Sequence, residues 1–342
     1  MAADLAIQNL NDGGIEMDNK LRRIAKPFIA MIFIAVLSVS ALAQNAHQSA
    51  IEKTSNKGGT HRAGILLLAH GGKQQWNAEV NKLAAQVNRT IPTEVAFGMA
   101  TKRNIQSAID RLVAREVTEI VAVPLFISSH SSVITSTQYL LGLRKDAPPE
   151  LARYAKMDHG HGAHHTNHAG GAAFDPTTPV KSPLPIRMTA ALDRHPLVAD
   201  ILLDRARHLS RKPSREVVII VAHGPVSEDD NAGWLADMGA LVERLRRASN
   251  FKRIEYLTVR DDAPEPIRGQ ATAQLRRMAR RASNEGNRVL IVPLLLSYGG
   301  IEEGIRKRLE GLDYVISPQA LLPDDRLAQW VLLMVEDLTK KT

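Results

Sequence analysis

GILLLAHGG, residues 64–72, is an uncharged apolar run that stops at a histidine and two glycines. A run this short, bounded by turn residues, reads as a buried strand feeding a tight turn rather than as a helix. The next residues change period: Trp76, Val80, Leu83, Ala84 and Val87 stand at i, i+4, i+7, i+8 and i+11, one face of a helix. EVAFGMA (94–100), a helix with Ile105, Ile109, Leu112 and Val113 on one side, and EIVAVPLFIS (119–128) complete a β-α-β-α-β order. Strands alternating with helices imply a parallel sheet and an α/β fold.

The order returns further on: EVVIIVAHG (216–224), a helix with Trp234, Met238, Leu241 and Leu245, RIEYLTV (253–259), a helix with Leu275 and Met278, and RVLIVPLLLS (288–297). AHG matches AHG, Asn77 matches Asn231, Trp76 matches Trp234, and VPLFIS matches VPLLLS around Pro124 and Pro293; MTAALDRHPLVADIL (188–202) echoes SPQALLPDDRLAQWVL (317–332). The expectation is an internal duplication: a first domain over 63–211, a second over 215–338, and a linker at 44–62 before them. Two tandem parallel-sheet sandwiches should be related by a pseudo-two-fold axis.

Composition narrows the chemistry. The 342 residues include no cysteine, which excludes a thiol nucleophile, a disulfide and any Cys-ligated metal, so metal ligands must be His, Asp or Glu. The net charge of +8, with 44 Lys+Arg against 36 Asp+Glu, suits an anionic partner. The arginine-rich stretches at 205–215, 244–253 and 276–281 lack interleaved aromatics and read as solvated helix faces, not as a nucleic-acid groove. Residues 20–43, KLRRIAKPFIAMIFIAVLSVSALA, have the cationic start, short apolar run and Ala41-Leu42-Ala43 of a cleavable export signal; residues 1–43 thus form a signal with an N-terminal extension, and Met17 is a candidate start. The run is too short to favour a stable membrane anchor. These features make an exported protein the expectation.

In open parallel sheets ligands bind beyond the carboxyl ends of the strands. His70 ends the first strand there, His130 follows the third, and His223 repeats the position of His70 in the second half; His70 and His130 are the first candidates for a metal site, His223 a weaker one. Counting from Pro293, the counterpart of His130 is Gly299, so only the first half keeps two histidines. Asp261, with Asp262, is an acid candidate for an inter-domain cleft; aligning Ile105 with Ile267 sets Asp261 opposite Met99. An insert at 157–179 holds His159, His161, His164, His165 and His168 among Gly, Ala and Asn, the composition of a flexible metal-binding loop or of a solvated linker. Co²⁺, Ni²⁺, Zn²⁺ and Cu²⁺ all suit such ligands.

The strand ending in AHG, EVAFGMA with its following helix, VPLFISSHSSV and ALDRHPLVADIL together resemble the sirohydrochlorin cobaltochelatase and ferrochelatase family, the CbiX-type class II chelatases, over roughly residues 63–338 outside the His-rich insert. The resemblance implies two chelatase-like sandwiches and ATP-independent insertion of a divalent metal, Co²⁺ first and Fe²⁺ or Ni²⁺ next, into a tetrapyrrole, with His70 and His130 holding the metal. It also supports a metal-handling insert. Family members often place the second histidine further past its strand and carry an acid where this chain has Met99. Insertion releases two pyrrolic protons, which histidine can accept, and no GxxxxGK[ST] is present to hold a nucleotide. The competing function is an exported metal- or tetrapyrrole-binding protein on the same fold without turnover; an α/β-hydrolase fails for want of G-x-S-x-G.

Overall fold

The computed structural model describes residues 62–157 and 174–340, which belong to one compact unit, His61–Thr342. The export signal, the linker and the five histidines of the insert lie outside the described residues. Among those described, no helix is long and apolar enough to cross a membrane.

The first half runs β1 (Ala63–Ala69), α1 (Gln74–Val87), β2 (Thr93–Phe97), α2 (Lys102–Ala114), β3 (Glu119–Pro124), α3 (Ser132–Leu140), α4 (Leu151–Met157), β4 (Ile186–Met188) and α5 (Pro196–Leu209). The second runs β5 (Glu216–Ala222), α6 (Glu228–Arg247), β6 (Arg253–Thr258), α7 (Ile267–Asn284), β7 (Arg288–Leu294), α8 (Ile301–Arg308), β8 (Val315–Ile316) and α9 (Arg326–Thr339). Each half forms a parallel four-stranded sheet, ordered β2-β1-β3-β4 and β6-β5-β7-β8. The α/β class and the two similar sheets are as expected from the sequence. The third strands stop before their apolar runs do, at Pro124 and Leu294: Leu125 and Leu295 are buried beyond the ladder, and an apolar run reports burial, not pairing.

The halves share a core. One face of each sheet, with α1, α5, α6 and α9, belongs to one apolar cluster that includes Ile65, Leu67, Val121, Val218, Ile220 and Trp330. The outer faces are covered separately, by α2 and α3 on the first sheet and by α7 and α8 on the second. The strands fall on either side of residues 211–215, but the helices do not keep to that division. Helix α5, from the first half, packs on β7 and α6, while α9, from the second, packs on β3 and α1. Each sheet therefore takes a helix from the other half. The arginines of the exchange are not solvated: Arg205 donates to the carbonyls of Ala320, Leu321 and Pro323, and Arg187 donates to that of Leu338. Arg207, Arg246 and Arg276 likewise donate to main-chain carbonyls, of Ala248, Ile254 and Arg308. The arginine-rich stretches are partly structural.

Where the halves join, Glu216 is 1% exposed at the start of β5. Burial pushes its carboxyl up, but the Ser210 hydroxyl, the N–H groups of Arg211 (2.8 Å) and Lys212 (3.2 Å) and the Arg288 guanidinium (3.1 Å) outweigh it, leaving the group below its ordinary range. A depressed acid contributes stability that is complete above its unfolded pKa and disappears as pH falls through the folded one. Glu216→Gln is expected to lower the unfolding free energy at pH 7 by roughly 1–3 kcal/mol, because it weakens charge-assisted bonds to buried partners. Urea midpoints at pH 7 and at pH values below the ordinary glutamate range check this: the deficit should shrink as pH falls, because a depressed acid loses its contribution as it takes up a proton.

Candidate functional site

Because β1 leads to β2 on one side while β3 leads to β4 on the other, the crevice between the carboxyl ends of β1 and β3 is the switch point of the first sheet. The loops carrying His70 and His130 flank it. Leu68 pairs with Pro124 in the first sheet and Val221 with Pro293 in the second, so His70 corresponds to His223 and His130 to Gly299 in three dimensions. The glycine of AHG has a backbone reason to recur: Gly71 and Gly224 sit at φ +80° and +77°, in the left-handed region.

His70 is exposed, and its Nδ1 lies 2.6 Å from the Gly71 carbonyl oxygen. A carbonyl only accepts, so Nδ1 carries the hydrogen and Nε2 of the neutral ring keeps its lone pair for a metal. The adjoining loop is fixed by the Gly72 N–H, which donates to Asn77 Oδ1 at 2.8 Å.

His130 rests on the second half. Its imidazole lies over Gly233 of α6, where a Cβ would fall 2.3 Å from Cγ, and its carbonyl accepts from Trp234 Nε1 at 2.8 Å. Asp237, one turn on, places Oδ2 3.8 Å from His130 Nε2. Beneath the loop, Asp193 accepts from the Ser129 N–H (2.5 Å) and hydroxyl (2.8 Å), which ties the ALDRHP segment to the extension of β3. Two carboxyl groups on α6 are pushed up: Asp237 by burial and by the neighbouring Asp193, against the pull of His130, Arg194 and Ser128, and Asp230 chiefly by burial. Both favour the protonated form more than an exposed aspartate does.

The second half is stitched differently. His223 Nε2 stands 3.4 Å from Asp262 Oδ2. Asp261, expected as a catalytic acid, is instead the ion-pair partner of Arg308, with both side chains less than 20% exposed. Strand register also corrects its alignment: Gly98 and Val259 both donate to the last residue of the central strand, so Met99 faces Arg260. Buried Arg260 clamps the loop after His223 through the carbonyls of Pro225 and Val226, both at 2.6 Å. Trp76 and Trp234 are not equivalent either; with Asn77 over Asn231 along continuous helices, Trp76 falls on Asp230. Trp76 fills the space beside Gly299, its Cδ1 being 3.2 Å from where a Cβ would stand, so a histidine there would displace it. Asp237 was missed by sequence reading; its signal is a glycine, Gly233, one turn before an aspartate on the inner face of α6.

Residues 64–209 match the family model CbiX. This stretch, under half of the chain, is similar to that family, and the match supports tetrapyrrole metal chelation as the class of activity. The solved structure of SirB from Bacillus subtilis with Fe³⁺ superposes with a TM-score of 0.53 at 15% identity, over 81% of this chain and 95% of SirB, a likeness of fold. A multi-domain Deinococcus radiodurans protein, described as structurally similar to chelatases with two additional novel domains, superposes at 0.45 and 16% identity, over 80% of this chain and 55% of its own. No curated protein matches the sequence.

Proposed function

We propose that the protein is an exported, ATP-independent chelatase that inserts a divalent metal into a sirohydrochlorin-type tetrapyrrole, with His70 and His130 handling the metal. The observation that carries this is the placement of two imidazoles at the switch point of a CbiX-like domain, one of them with a tautomer that frees Nε2. Metal bonds to the protein exchange for bonds to ring nitrogens, while two pyrrolic N–H bonds break and leave their electron pairs on nitrogen. The protons pass to imidazole and then to solvent. The net positive charge favours a carboxylate-rich macrocycle. Cobalt is the proposed metal; Fe²⁺ and Ni²⁺ suit the same donors, and the SirB structure contains iron, as Fe³⁺. Export rests on the signal-like segment at 20–43, and the histidines at 159–168 are proposed to collect metal for the site.

The test is the absorbance change of sirohydrochlorin with Co²⁺, Fe²⁺ or Ni²⁺ in the presence of catalytic amounts of the full chain. Many turnovers per protein are expected. Metal uptake that stops at one equivalent, with the macrocycle unchanged beyond the protein-free rate, would replace this reading with the binding protein.

A further inference from the structure

We propose that Asp237, from the second half, is the carboxylate that joins His130 in ligating the divalent metal, so that the docking point for the metal is built across the two halves. Its role in insertion rests on the chelatase reading; its role in binding metal does not.

Asp237 is 9% exposed, and its Oδ2 is buried with no hydrogen-bond partner. A carboxylate oxygen in that state is costly unless something cationic or donating satisfies it. The group facing it is His130, at 3.8 Å from Nε2 to Oδ2, too long for a hydrogen bond. Two ligands each at about 2.1 Å from one ion stand roughly 3 to 4 Å apart, so the separation fits a shared metal. The other oxygen has a cation beside it, Arg194 Nε at 4.0 Å from Oδ1, while Oδ2 has no hydrogen-bond partner and is the open donor. The surroundings hold the pair in this geometry. Gly233 lets the imidazole lie on the helix backbone, and Trp234 grips the His130 carbonyl.

Among the described residues no group of three or more His, Asp or Glu is gathered to hold a metal. His130 and Asp237 fill two positions and leave the others to His70, to water and then to ring nitrogens, as a metal that must be given up requires. The pairing of a nitrogen with a hard oxygen suits Co²⁺, Fe²⁺ and Ni²⁺.

The experiment titrates Co²⁺ into the full chain, followed by its ligand-field absorption, with His159, His161, His164, His165 and His168 all changed to Asn so that only the folded site is read. Asp237→Asn should weaken binding by about tenfold or more. Asp237→Glu should recover part of it, and Asp237→Asn combined with His130→Ala should be little worse than His130→Ala alone, because both ligands serve one ion. Unchanged Co²⁺ affinity in Asp237→Asn overturns the proposal, as does a loss that Glu does not relieve and that comes with a lowered melting temperature, the mark of a structural role. If the binding pattern appears but the parent chain inserts no metal, the chelatase reading fails and this site stands. If insertion proceeds and Asp237→Asn binds as the parent does, the reverse holds.

Discussion

His130→Ala should lower the rate of metal insertion at saturating metal by about 100-fold or more, the range over which removal of a positioned acid–base group acts. The size follows from what the ring does twice: it holds the metal, and once the metal has passed to the macrocycle it is free to take a pyrrolic proton. Its loss also removes the imidazole that faces Asp237 Oδ2 at 3.8 Å. His70→Ala should fall into the same range, since its tautomer leaves Nε2 open at the other side of the switch point. Gly233→Ala is the informative companion: it removes no functional group, yet a Cβ 2.3 Å from His130 Cγ must push the ring off α6. Its rate should lie between those of the parent and His130→Ala, with the circular dichroism spectrum of the parent. A parent-like rate in His130→Ala would remove this residue from the chemistry.

Trp330→Ala should cost about 3–5 kcal/mol of stability, the range for emptying a large aromatic site. Trp330 is 0% exposed, the largest fully buried side chain among the described residues, and it belongs to the cluster that both sheets share. It sits on α9, which packs on β3 and α1 of the first half although it follows the second. Unfolding α9 therefore exposes apolar surface of both halves. The urea transition of the variant should shift as one step, followed alike by near- and far-ultraviolet circular dichroism. A variant that unfolds in two separated steps would show that the halves hold their structure independently.

The strands and the two-fold plan were legible because buried parallel strands are short apolar runs, which GILLLA and EVVIIVA display openly. The last strand of each sheet was not: β4 has three residues and β8 two, too few for any period. His70 and His130 stood out as candidates from position alone, one just past the first strand and the other in the loop after the third. Asp237 was not, because an aspartate within a helix carries no mark of its own; only the helix's placement against the other half makes it a neighbour of His130. The ion pair of Asp261 was hidden for the opposite reason: DDAP suggested a cleft acid, and its partner Arg308 lies 47 residues away. The helix exchange was hidden likewise, since an apolar stripe says that a helix is covered but not by which sheet.

That exchange sets a timetable for biosynthesis. The inner face of the first sheet waits for α9, which follows the other described elements, so the N-terminal half cannot close before the C-terminal one has been added. At about 5–20 residues per second, this holds the nascent chain unfinished for on the order of ten seconds. A chain lacking α9 would be left with an uncovered sheet face, a target for proteases and chaperones.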